Sequence, residues 1–71
     1  MRYLVVLEQG PTSFGAYVPD LPGCVAAGET RDEALTLIRE AIDLHIEDLR
    51  RSGQRVPLPS SSGEIIEVPA A

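Results

Sequence analysis

One stretch governs how the rest of this chain can be arranged: Val18-Pro19-Asp20-Leu21-Pro22-Gly23-Cys24-Val25-Ala26-Ala27-Gly28-Glu29-Thr30. Its two prolines withhold two ladder donors, so Pro19–Gly23 cannot lie in the middle of a strand. Pro22 pushes Leu21 extended, and Pro22-Gly23 suits the two central positions of a type II turn. Cys24–Gly28 then reads as a short strand built of small residues that let a neighbour approach closely. Thr30 and Glu33 have the spacing of a capping box: the hydroxyl can accept from the third helical amide while the carboxylate reaches back. The stretch thus takes the chain out of one strand, through a turn into another, and on into a helix.

Upstream, Tyr3-Leu4-Val5-Val6-Leu7 within Arg2–Glu8 is a continuous apolar run, which predicts a central strand buried on both faces. Gln9–Ser13 is a turn of hairpin length, and Phe14–Val18 alternates in the manner of a second strand. The three strands read as an antiparallel meander. Gly15 reads as a bulge or a close backbone approach, and Gly28 as an awkward dihedral before the helix. Downstream, the helix should run from the Thr30 cap to about Arg51, where Ser52-Gly53 supplies a stop. At 100° per residue, Ala34, Ile38, Ala41, Ile42, His45 and Leu49 share one face; Leu37 and Leu44 widen it on one side, Leu35 and Ile46 on the other. The apolar arc spans roughly 200°, about twice what packing on one sheet needs.

Gln54–Gly63, with Pro57, Pro59 and a serine run, reads as a linker, and Glu64–Val68 as a short final strand ended by Pro69. The expected class is α+β in the order β-β-β-α-β: a meander packed on one long helix, with the compact core over about 2–53. A final strand parallel to the first would make the helix a right-handed crossover. One helix covers one face of a sheet, so either Leu4 and Val6 or Tyr3, Val5 and Leu7 need a second cover. With Leu37 and Leu44, residues Tyr3, Val5 and Leu7 are the candidate homo-oligomer interface. A linker before a short strand also makes exchange of that strand between subunits feasible.

Size points the same way. A chain of 71 residues is a single domain and buries only about 60% of its unfolded surface. Such a core rarely supplies more than ~3–5 kcal/mol without disulfides, metal or oligomerisation. Cys24 is the only cysteine, so no internal disulfide forms. With His45 the only other soft or borderline ligand, neither a structural zinc site nor a cofactor is expected. No apolar run reaches membrane-spanning length and the amino-terminal run is too short for a signal peptide, which makes a cytoplasmic location the default.

Eleven acidic residues oppose six basic ones, for a net charge of −5, and there is no lysine. Direct nucleic-acid binding is not expected of this balance; Arg50, Arg51 and Arg55 suit a helix C-terminus instead. An acidic surface favours basic partners. Catalysis finds no foothold. Cys24 and His45 could nominally pair, but a small hydrophobe at a strand start and a histidine on an apolar helix face describe them better. Glu40, Asp43 and Glu47 lie on the wet face of the helix, away from the strand acids Glu8 and Asp20, so no carboxylate cluster of the kind a metal-dependent nuclease needs is expected. The glycines are scattered singly and form no phosphate loop.

Phe14-Gly15-Ala16-Tyr17-Val18-Pro19-Asp20-Leu21-Pro22-Gly23-Cys24, followed by Gly28-Glu29-Thr30 and Asp32-Glu33-Ala34, resembles the HicB antitoxin family. So does Glu40-Ala41-Ile42-Asp43-Leu44-His45-Ile46 followed by Gly53 and Pro57. The resemblance covers roughly residues 2–68. It implies a partial ribonuclease H-like fold and a non-enzymatic role in a type II toxin–antitoxin system, in which the domain binds and masks a small, basic, mRNA-cleaving HicA-type toxin. The candidate contacts are Asp20, Leu21, Pro22, Gly23 and Cys24 in the turn and Glu40, Asp43 and Glu47 on the helix. Many HicB antitoxins carry a C-terminal DNA-binding domain. The residues up to Ala71 leave no room for one, so neither DNA binding nor autoregulation is expected of this stretch. A solitary homo-oligomeric binding domain without a toxin is the alternative.

Overall fold

The computed structural model describes residues 1–70. Strands β1 (Val6–Gln9), β2 (Phe14–Tyr17) and β3 (Val25–Gly28) precede one helix, α1 (Arg31–Arg51). The sheet is an antiparallel meander in the order β1-β2-β3, as expected. Helix α1 crosses one face of it, packed mainly on β3 and also on β2.

Strand register decides which residues become core. The row Leu7, Ala16, Ala26 faces the helix; the next row, Val6, Tyr17, Val25, faces away from it. Ala16, Val18, Leu21, Cys24, Ala34 and Ile38 are buried, and Tyr3, Val5, Leu7 and Phe14 pack around them. The small residues of β2 and β3 let the helix approach closely. Gly28 is the tightest point: a Cβ there would lie 2.8 Å from the Ala34 amide nitrogen and 3.0 Å from Glu33 Cγ. Its φ is not positive, so close approach rather than an awkward dihedral is what requires glycine. Gly15, expected at a bulge or a close approach, sits in unbroken register between Glu8 and Ala27, and a Cβ there would meet nothing nearer than 4.0 Å.

The ends of α1 are closed by local hydrogen bonds. Glu33 N–H donates to Thr30 Oγ1 at 3.1 Å, and the Glu33 carboxylate accepts from Glu29 N–H at 3.4 Å, one residue further back than the usual box. At the other end Gly53, with φ +72°, donates to the Arg50 carbonyl and Gln54 donates to that of Leu49, a Schellman pair.

Two expectations need correction. Tyr3–Leu7 is not a central strand: β1 lies at the edge, only Val6–Gln9 is paired, and β2 is in the middle. The unbroken apolar run has another cause. Tyr3, Val5 and Leu7 pack against the core, while Leu4 lies beside Gly63, where an added Cβ would meet Leu4 Cδ1 at 3.5 Å. The final strand is also absent from the sheet. Glu64–Val68 is unpaired, with Ile65 99% exposed, because a strand needs a neighbouring ladder and this segment lies against none. The parallel crossover is therefore not formed. The segment before it is not a loose linker: the Tyr3 hydroxyl donates to the Pro57 carbonyl, and Ser60 and Ser61 are tied to Asp20.

Candidate partner-binding surface

The Val18–Cys24 connection is two tight turns in series. Leu21 N–H donates to the Val18 carbonyl at 3.1 Å, and Cys24 N–H to the Leu21 carbonyl at 3.0 Å. Each turn has a proline at its second position, where a fixed φ costs nothing. Gly23, at φ +84°, occupies the third position of the second turn, as a type II turn requires. Val18 N–H reaches the Cys24 carbonyl at 3.2 Å and closes the loop. Leu21, shared by both turns, points into the core and is wholly buried. Leu21 and the nearly buried Cys24 therefore hold the turn from within, leaving Pro22 and Gly23 as its exposed tip.

Asp20 is engaged inside the molecule. Its carboxylate accepts from Ser60 N–H (2.8 Å), Ser61 N–H (2.9 Å), Ser60 Oγ (3.1 Å) and Ser61 Oγ (2.7 Å). These donors favour the charged form, the Ser61 amide most strongly, and lower its pKa from 3.8 to about 2. Asp20 is a clamp for the tail.

Beside the turn tip, Gly23, Cys24 and Val25 face Leu44, His45 and Asp48 across an open groove of about 440 Å³, which Glu47 and Arg51 also line. Val25, 66% exposed, borders the groove from β3 with its side chain on the sheet face away from the helix, while on the helix wall Leu44 is 67% exposed, with Leu37 one heptad before it. On the helical wheel Glu40 and Glu47 flank this pair, and Glu47 also pairs with Arg51. Asp43 lies further round the helix and does not line the groove. The arrangement is an apolar strip with an acidic border next to the open edge of β3, the composition of a docking surface rather than of a reaction centre. Cys24 and His45 both line this groove, but burial pushes the Cys24 thiol pKa up, which disfavours the thiolate.

The fold brings together at this groove Gly23, Cys24 and Glu47, expected as partner contacts, and Leu44, expected at an oligomer interface, along with Val25 and Asp48, which the sequence did not single out. Alternation along β3 is the signal for Val25, since it puts Val25 opposite Ala26 and away from the core. Tyr3, Val5 and Leu7 stand apart, on the β1 side of the helix.

The family model for a HicB-like antitoxin of bacterial toxin–antitoxin systems matches residues 3–70. The chain belongs to the HicB-like antitoxin family. Among relatives, "Antitoxin HicB 2" of Photorhabdus laumondii is 38% identical over 76 residues, spanning 100% of this chain and 52% of the relative. "Antitoxin HicB 1" of the same organism is 36% identical over 73 residues, 97% of this chain and 46% of the relative. A UPF0150 protein of Thermoplasma acidophilum is 38% identical over 58 residues, 80% of this chain and 84% of the relative. This HicB-like chain thus spans about half the length of the two named antitoxins. Its double turn, capped helix and tail all fall within the matched residues. Among the described residues, no helix is long and apolar enough to cross a membrane.

Proposed function

We propose that residues 1–71 form a single HicB-type domain that binds and masks a small, basic, mRNA-cleaving HicA-type toxin in the cytoplasm. Family membership over residues 3–70 carries this reading. The net charge of −5 and the acidic border of the Leu37–Leu44 strip supply the electrostatic complement to a basic partner. Inhibition works by occlusion: the domain covers the toxin's RNA-facing surface and does no chemistry of its own. The contacts fall on Pro22, Gly23, Val25, Leu37, Glu40, Leu44 and Glu47, with Asp43 at the margin. Leu21, Cys24 and Asp20 shape that surface from behind it.

Co-expression with a small basic HicA-type protein, sought first among the products of the neighbouring genes, tests the reading. A complex that survives purification, and growth restored when this chain is co-produced, are the expected results. Leu44→Arg, at an exposed position, should leave the fold intact and abolish both. A purified neighbour that cleaves RNA equally well with and without a molar excess of this chain would refute the proposal.

A further inference from the structure

Tyr3-Leu4-Val5-Val6-Leu7 is a run of five residues without charge, proline or glycine. Its high β-propensity makes it the kind of segment that pairs most readily with other chains. The run leads into β1, at the edge of the sheet, and residues 3–5 precede the paired part, Val6–Gln9. An apolar run on a sheet edge recruits strands from other molecules unless something blocks it. Yet all five residues are half-buried. Tyr3, Val5 and Leu7 pack on the core, whereas Leu4 does not belong to that cluster and has Gly63 of the tail beside it.

The tail that reaches this run is laid along the molecule without joining the sheet. Pro57, Pro59 and Ser61 are half-buried, while Leu58, Ser60 and Ser62 between and after them are exposed, the period of two of an extended segment with one side against the protein. The Tyr3 hydroxyl fastens it at the Pro57 carbonyl. Asp20 fastens it again, accepting from both amides and both hydroxyls of Ser60 and Ser61. Pro57 and Pro59 lie on its half-buried side and have no N–H, so the segment cannot carry a ladder onward. We propose that residues 55–63 are a strap, fastened by Asp20, that keeps the Tyr3–Leu7 run from pairing with other chains. The segment beside the run is the chain's own, held by hydrogen bonds present in the structure. Asp20 is the decisive fastener, because its charged carboxylate takes every bond at the serine end of the strap. The inference does not depend on the antitoxin reading, and no toxin enters its test.

Two variants of the full chain open the strap by separate routes. Asp20→Ala removes the acceptor, and Ser61→Pro removes one amide and one hydroxyl donor without altering the Val18–Cys24 turn. Hydrogen exchange of the Ser60 amide should quicken roughly tenfold or more in both, while the Ala34 and Ile38 amides of α1 stay as protected as in the unaltered chain. Where Asp20→Ala also loosens α1, Ser61→Pro decides. Light scattering up to about 100 micromolar should then show a mass that rises with concentration in the opened chains beyond that of the unaltered chain. Leu4→Lys added to either variant should cancel the rise, since a charge in the run blocks edge pairing. Opened chains that gain no more mass than the unaltered one overturn the inference. So does association that Leu4→Lys leaves unchanged, which places it on another surface, or a Ser60 exchange rate that Asp20→Ala does not alter.

Discussion

Replacing Leu21 by alanine probes the fold at its most leveraged point. Leu21 is wholly buried and belongs to both tight turns, so its side chain anchors the whole Val18–Cys24 connection. Removing it forfeits transfer energy and leaves a cavity, for roughly 2–5 kcal/mol in a core site. Collapse around the cavity is restricted here, because Pro19 and Pro22 stiffen the backbone on either side, which argues for about 3 kcal/mol or more. A core of this size supplies only ~3–5 kcal/mol in total, so the variant should be largely unfolded or close to it. Urea denaturation followed by far-UV circular dichroism, at one fixed protein concentration, measures this. With a slope near ~1 kcal/mol/M, the midpoint should fall by about 3 M or vanish below zero denaturant. Leu21→Met, of similar volume, should cost less than ~1.5 kcal/mol. A Leu21→Ala loss under ~1 kcal/mol would refute the claim that the double turn hangs on this side chain.

Three further outcomes follow from the same structure. Gly28→Ala should destabilise by ~1–3 kcal/mol, since the new methyl meets helix backbone that cannot move alone; thermal unfolding reads it, and an unchanged midpoint would contradict the close-approach account. Thr30→Ala removes the acceptor for the Glu33 amide and should cost about 1 kcal/mol, with Thr30→Ser recovering most of it. The clamp on Asp20 should be pH-dependent. Because the folded pKa lies below the unfolded value of 3.8, its stabilisation is fully present above pH 3.8 and is lost as the pH falls through about 2. The Ser60 and Ser61 amide resonances should titrate with a midpoint near 2, and a midpoint near 3.8 would mean that the clamp is not formed in solution.

Local chemistry made much of this fold legible beforehand. Pro22-Gly23, Thr30 with Glu33, and Ser52-Gly53 each carry their structural instruction within a few residues, and each is found where expected. What depends on distant partners was not legible. Tyr3–Leu7 is apolar at an edge because Tyr3, Val5 and Leu7 meet the core and Leu4 lies beside Gly63, some sixty residues away. Asp20 looked like a free turn carboxylate, since nothing near it announces the two serines forty positions later. Glu64–Val68 has strand propensity, yet pairing is a property of two segments and this one lies against no edge. For the candidate surface, helical periodicity placed Leu37, Leu44, Glu40 and Glu47 on the helix, but only the folded chain brings the Gly23–Val25 end of the turn to the same groove as Leu44 and Glu47.

Hydrogen exchange on this chain mixed with the basic HicA-type toxin proposed as its partner tests the central claim most directly. New protection should appear over Gly23–Gly28 and along the Leu37–Glu47 face of the helix, and should be lost in Leu44→Arg. Protection confined to the β1 side, or none at all with the toxin in saturating excess, would contradict the assignment of this surface.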